Sequence, residues 1–153
     1  MKPLFILLTL VPLACASAPG SGGAAQPEIE LVQLSGPEEQ NYPSGEIEIQ
    51  FGLRIANRSS ETITLRQIQL ESVTDGGPYQ LERETYYFQV AVEPERHNDL
   101  TFWAHAVAGG DRHAVDARAP ITVRVVTFFE SAAGNFRKVF IKRLAQGAGT
   151  SGW

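Results

Sequence analysis

Residues 46–56 alternate without exception. Ile47, Ile49, Phe51, Leu53 and Ile55 are separated by Glu46, Glu48, Gln50, Gly52, Arg54 and Ala56. A period of two sends successive side chains to opposite faces of an extended chain. Five apolar positions in that pattern make this segment a β-strand with one face against a core. Any fold the chain adopts must therefore supply a sheet and something to cover its apolar side.

The same period recurs along the chain. Residues 28–34 place Ile29, Leu31 and Gln33 on one face and Glu30, Val32 and Leu34 on the other, a two-sided first strand. Asn57-Arg58-Ser59-Ser60 breaks the alternation with turn residues. In the strand that follows, Ile63 and Leu65 share a face, but the inward set then changes parity to Ile68 and Leu70. One extra residue near Arg66-Gln67 does this, so a β-bulge or bend is expected there. Asp75-Gly76-Gly77-Pro78 reads as a turn, and residues 85–92 put Tyr86, Phe88, Val90 and Val92 on one face. Glu93-Pro94-Glu95-Arg96 interrupts that strand.

Residues 99–108 fit two templates. Leu100, Trp103, Ala104 and Val107 make a helical stripe between a capping Asp99 and a stopping Gly109. Leu100, Phe102, Ala104 and Ala106 make an alternating strand, which the Phe102-Trp103 pair and the preceding strand and turn favour. Residues 119–130 and 135–144 close the series. Ile121, Val123, Val125 and Thr127 alternate, Ser131–Asn135 is a short glycine-containing connection, and Val139 and Ile141 oppose Phe136, Lys138 and Phe140.

Seven strands with a turn every 8–15 residues predict an all-β chain, a seven-stranded antiparallel β-sandwich spanning residues 28–145. The profile resembles immunoglobulin-like and fibronectin-III domains in architecture, although the Cys…Trp…Cys core of antibody domains is absent. Phe51–Leu70 also resembles the small sandwich domains of late-embryogenesis-abundant and exported bacterial proteins, over about twenty residues. With 43% hydrophobic and 20% charged residues, the composition is that of a globular chain.

The first residues have a different purpose. Lys2 is followed by an apolar run, Leu4–Leu13, and then by small residues. The run is shorter than the roughly 20 residues a membrane-spanning helix needs, so residues 1–14 read as a secretory signal peptide. Ala14 and Ala16 fit ordinary cleavage before Ser17, and Ala16 and Ala18 fit cleavage before Pro19. The only cysteine, Cys15, lies where the apolar run ends. Leu13-Ala14-Cys15-Ala16-Ser17 resembles a bacterial lipobox, with Ala14 before the cysteine as the motif requires; Pro12 and Leu13 depart from it. The resemblance implies that Cys15 is lipidated and becomes the first mature residue. The absence of Asp after it (Ala16 stands there) implies sorting to the outer membrane. Residues 15–27 then form a Gly/Ser/Pro-rich tether, and residues 146–153 a loose tail. Acyl chains contribute about 0.8 kcal/mol per buried methylene, so the lipid would supply the membrane attachment.

A chemical site is harder to find. A single cysteine excludes a disulfide framework within the chain and a cysteine-rich zinc site. A net charge of −4 argues against a nucleic-acid partner. His97, His105 and His113 are spaced eight apart, but no His-x-x-x-His pair accompanies them, and Asp111 and Asp116 are merely near in sequence. No Gly-x-Ser-x-Gly elbow or phosphate loop occurs, and Glu38-Glu39 and Glu93/Glu95 flank turns as solvated carboxylates do. Neither a catalytic residue, a metal nor a cofactor is expected. Tyr87, Trp103 and Phe128 fall opposite the core-facing set, where they would lie under loops, along an edge or on a partner surface. Arg54, Arg66, Arg83 and Arg124 can pair across strands with Glu48, Glu71 or Glu84.

The sequence thus predicts a non-enzymatic cell-envelope lipoprotein that binds an envelope protein or glycan near the membrane. A soluble periplasmic or secreted sandwich is the alternative. A small exported enzyme or metal-binding protein using His97, His105 or His113 is the second.

Overall fold

The computed structural model describes residues 26–36, 45–73, 78–108 and 120–145. They form eight strands: β1 (Glu28–Ser35), β2 (Gly45–Ala56), β3 (Ile63–Ser72), β4 (Tyr79–Leu81), β5 (Glu84–Val92), β6 (His97–Ala108), β7 (Ile121–Ser131) and β8 (Gly134–Leu144). Two four-stranded sheets, β1-β2-β6-β4 and β5-β3-β7-β8, are antiparallel throughout and face one another across the core.

The expected count of seven is corrected to eight. The added strand is β4, three residues long and too short to show a period. Tertiary contacts hold it in place. The Tyr79 hydroxyl donates to Gln33 Oε1 at 2.6 Å inside the core, and the Leu81 amide donates to Ser72 Oγ at 2.9 Å.

Residues 99–108 are strand, as the aromatic pair suggested. β6 pairs with β2 over its whole length, from Gly45 opposite Ala108 to Ala56 opposite His97. His97 is therefore the first residue of a strand and not a loop residue, because the ladder runs to its end. The bulge falls where the parity change placed it. Both ladders of β3 shift between Leu65 and Gln67, which lets Leu65 and Ile68 both point inward.

The core is built from the alternating sets. Ile49, Phe51, Leu53 and Ile55 of β2 meet Leu65, Ile68 and Leu70 of β3 and Val123, Val125 and Phe129 of β7. Phe102 links the sheets. Its ring lies 5.8 Å from Phe51 in its own sheet and 5.1 and 5.7 Å from Tyr86 and Phe88 in the other. Such tilted and edge-on pairs add about 0.5–1.5 kcal/mol each beyond area burial. On the outward side of the first sheet, Val32 and Leu34 lie over Gly52. A Cβ there would stand 3.2 Å from Val32 and 3.3 Å from Leu34, so the missing side chain makes room for them.

Asn57 ties the two sheets at one end. It is fully buried, and its amide nitrogen donates to the Glu61 and Val92 carbonyls at 2.7 and 2.9 Å. Its Oδ1 accepts from the Ser59 amide and hydroxyl, and its backbone N–H donates to the Arg96 carbonyl at 2.8 Å. The β2–β3 turn is thereby stitched to the β5–β6 turn.

Candidate binding face

The β7–β8 hairpin decides what the outer side of the second sheet presents. Along β8, Phe136 and Phe140 turn inward, and Phe136 stacks on Phe129 with ring centroids 5.2 Å apart. The opposite parity then faces outward: Arg137, Val139, Ile141 and Arg143. Ile141 is 64% exposed and Val139 45%. The register sets Val139 beside Val126, Ile141 beside Arg124 and Arg137 beside Phe128. The result is an island of Val126, Phe128, Val139 and Ile141 bordered by arginines.

The border is partly neutralised. Arg66 bonds Glu130 at 2.6–2.7 Å, and Glu71 takes Arg83 and Arg124 on its two oxygens at 2.7 Å each. Those two bonds, Arg124's foremost, hold the Glu71 carboxyl below the usual carboxylate range. Arg137 and Arg143 have no acidic partner among the described residues. An open cleft of about 330 Å³, lined by Arg66, Phe128, Glu130, Asn135, Phe136 and Arg137, runs beside the island. A surface with an apolar centre and a border of guanidinium groups suits a partner with apolar and anionic groups.

Of the three aromatics expected opposite the core, the structure brings two to this face. One row crosses the sheet as Tyr87, Gln67, Phe128 and Arg137. Tyr87 is 80% exposed, and Phe128 is half-buried. Trp103, 51% exposed, lies on the outer side of the other sheet beside Gln50, so the three do not share one surface.

His105 also faces that other side. It lines a cleft of about 440 Å³ with Glu46, Glu82, Arg83, Glu84 and Val107. His97 is eight residues away on the same strand, about 26 Å at the rise of an extended chain. Among the described residues, no group of three or more His, Cys, Asp or Glu could hold a metal. Cys15, His113, Asp111, Asp116, Glu38 and Glu39 lie outside the described residues, as do residues 1–14 and 146–153.

The arginine pairing is partly as expected. Glu71 takes two arginines, but Arg54 bonds Asp99 through both carboxylate oxygens at 2.7 and 2.9 Å and Arg66 bonds Glu130. Glu84 accepts the Tyr86 hydroxyl instead. Burial, with this bond second, raises the Tyr86 pKa, so the phenol stays protonated. The apolar island was missed in the sequence because β8 carries apolar residues on both parities. Only the packing of Phe136 and Phe140 shows which pair is left outside.

Fold and face together define a β-sandwich with an apolar, arginine-bordered outer surface. No family model matches the sequence, and no curated protein does. Solved structures match in fold. A structural-genomics target superposes with a TM-score of 0.53 at 11% identity, covering 82% of this chain and 89% of its own. A protein from Archaeoglobus fulgidus gives 0.51 at 13% identity, covering 76% and 91%. A Bordetella pertussis protein assigned as ApaA gives 0.51 at 14% identity, covering 80% and 94%. At these identities the likeness is one of architecture.

Proposed function

We propose that this chain is a cell-envelope lipoprotein whose β-sandwich is a non-catalytic binding module. Cys15 carries the lipid, residues 15–27 are the tether, and the domain holds an envelope protein or glycan near the outer membrane on its periplasmic side. The observation that carries the binding role is the outward pair Val139 and Ile141 between Arg137 and Arg143, which have no acidic partner among the described residues. Isolated exposed apolar residues are ordinary, whereas a contiguous island with a polar rim marks an interaction surface. The anchoring role rests on the position of the one cysteine at the end of the apolar leader.

We further assign the sandwich to the immunoglobulin-like group. Sheet orders β1-β2-β6-β4 and β5-β3-β7-β8 parallel the A-B-E-D and C′-C-F-G arrangement of those domains, with β4 and β5 visited in exchanged order.

Two substitutions test the roles separately. Cys15→Ser removes the acyl label and moves the chain from the membrane to the soluble fraction. Unchanged fractionation favours the soluble periplasmic alternative, cleaved before Ser17. Ile141→Asp, on an exposed position, leaves the melting temperature within about 2 °C but abolishes the cross-linked envelope partner obtained with the native chain. Undiminished cross-linking overturns the binding face.

A further inference from the structure

Every open sheet has two edge strands, and each edge offers unpaired N–H and C=O groups to any other strand. Three of the four edges here carry recognisable protection. β4 is only three residues long, and the part of β6 beyond its reach, His97–His105, carries Asp99 outward. β1 carries Glu28 and Glu30 outward, and its pairing shifts between Gln33 and Ser35. β8 carries Arg137, Lys138, Lys142 and Arg143, and the Lys138 ammonium reaches back to the Pro27 carbonyl at 2.7 Å.

β5 is nine residues long and beyond Glu84 carries no charge, although its ladder also shifts, between Tyr87 and Val90. Residues 85–92 read Thr-Tyr-Tyr-Phe-Gln-Val-Ala-Val, eight residues without a charge, a proline or a glycine, and rich in the types that favour strands. Among the described residues it pairs with β3 alone. The ladder to β3 shifts beside Arg66, yet exposure along β5 alternates without a break from Tyr86 to Val92. Its inward residues Tyr86, Phe88 and Val90 pack against the core but are only half-buried. Tyr87 outward is 80% exposed.

We infer that β5 is a strand-addition edge and that its occupant is β5 of a second copy of this chain. The strand is self-complementary. Antiparallel pairing about a two-fold axis perpendicular to the sheet keeps inward residues opposite inward residues only when a residue of one parity meets its own parity. The register overlapping all nine residues meets this condition, with Glu84 opposite Val92 and Phe88 opposite Phe88 of the second copy. Tyr86 then faces Val90, completing the burial that each copy lacks alone. The residues just beyond the strand agree in charge, because this register sets Arg83 opposite Glu93 at both ends. On the outer face it sets Tyr87 opposite Gln89. The two β5-β3-β7-β8 sheets become one continuous eight-stranded sheet.

The pairing does not depend on the lipid, so the test uses the full-length chain carrying Cys15→Ser. Edge-only interfaces are small and weak, so sedimentation equilibrium covers about 10 μM to 0.5 mM. The chain shifts from monomer toward dimer across that range. Tyr87→Lys with Gln89→Lys alters two exposed positions but sets lysine opposite lysine twice, and weakens the dimer at least tenfold. Tyr87→Glu with Gln89→Lys sets opposite charges there and retains the native affinity or exceeds it. A native chain that stays monomeric at the upper concentration overturns the proposal, including the case in which the edge takes a strand from another protein. A dimer indifferent to the lysine pair overturns it, and so does one lost equally in the charge-complementary variant.

Discussion

Asn57 makes four side-chain hydrogen bonds while fully buried, and their partners lie in two segments of the chain, its own turn and the end of β5. Removing one partner from a buried network leaves the others unsatisfied, at about 1–3 kcal/mol for each stranded group. Asn57→Ala strands the Val92 carbonyl inside the fold, so denaturant titration gives a loss of about 2–4 kcal/mol. A loss below about 1 kcal/mol contradicts the role. The sequence marks Asn57 only as a turn residue, because the bond to Val92 spans 35 positions and leaves no local pattern. The same burial argues against modification of Asn57 in its Asn-Arg-Ser context, since the amide is already used. Glu71 gives a pH-dependent counterpart. Its pKa is lower in the folded chain than in the unfolded one, so the folded form binds protons less readily. Its contribution is present above the unfolded value of about 4.3 and is lost as pH falls through the folded value. Glu71→Gln therefore flattens the fall in melting temperature between pH 7 and 3. The effect is small, about 1 kcal/mol or less, because the pairs are solvent-screened. Parallel curves for the two chains exclude the linkage.

Turns hold the clearest strain among the elements. In Glu93-Pro94-Glu95-Arg96 the Arg96 amide donates to the Glu93 carbonyl at 3.2 Å, and Glu95 has a φ of 54°. Proline suits the second position of such a turn, and the third requires a positive φ, which glycine adopts without steric cost. Left-handed backbone costs a side-chain-bearing residue roughly 1–2 kcal/mol, so Glu95→Gly stabilises the chain by up to about 1 kcal/mol after the entropy of glycine. A rise in melting temperature checks this, and a fall shows that the Glu95 side chain contributes more than the strain costs. Gly134 is the opposite case. It closes the β7–β8 hairpin at φ 119° with open space around it, so Gly134→Ala is penalised by backbone conformation and not by collision. These turns were legible as interruptions, as were β2 and the β3 bulge, since alternation and parity are local properties. β4 and the outward choice on β8 were not. A three-residue strand has no period, and Arg-Lys-Val-Phe-Ile-Lys-Arg reads equally well with either face inside.

At the scale of the molecule, the net charge of −4 conceals a separation of sign. Outward on the β1-β2-β6-β4 sheet stand Glu28, Glu30, Glu46, Glu48 and Asp99 against Arg54. Outward on the β5-β3-β7-β8 sheet stand Arg66, Arg124, Arg137 and Arg143 against Glu71 and Glu130. The sheets are about 10 Å apart, and outward side chains add several ångströms on each side. The Debye length is about 10 Å at 0.1 M salt, so an approaching group feels one face nearly alone. At 0.01 M it grows to about 30 Å, and the two faces begin to cancel. Acidic chains ordinarily leave a sulfated polysaccharide column at once. This chain instead is retarded near 0.1 M salt, through its basic face, despite its overall charge. Arg137→Glu with Arg143→Glu removes the retardation, because among the described residues those two guanidinium groups have no acidic partner to occupy them. Arg66→Gln has a smaller effect, since Glu130 already neutralises that guanidinium at 2.6 Å. Equal loss from the two changes means that retention follows total charge, and the separation of faces then has no consequence for binding.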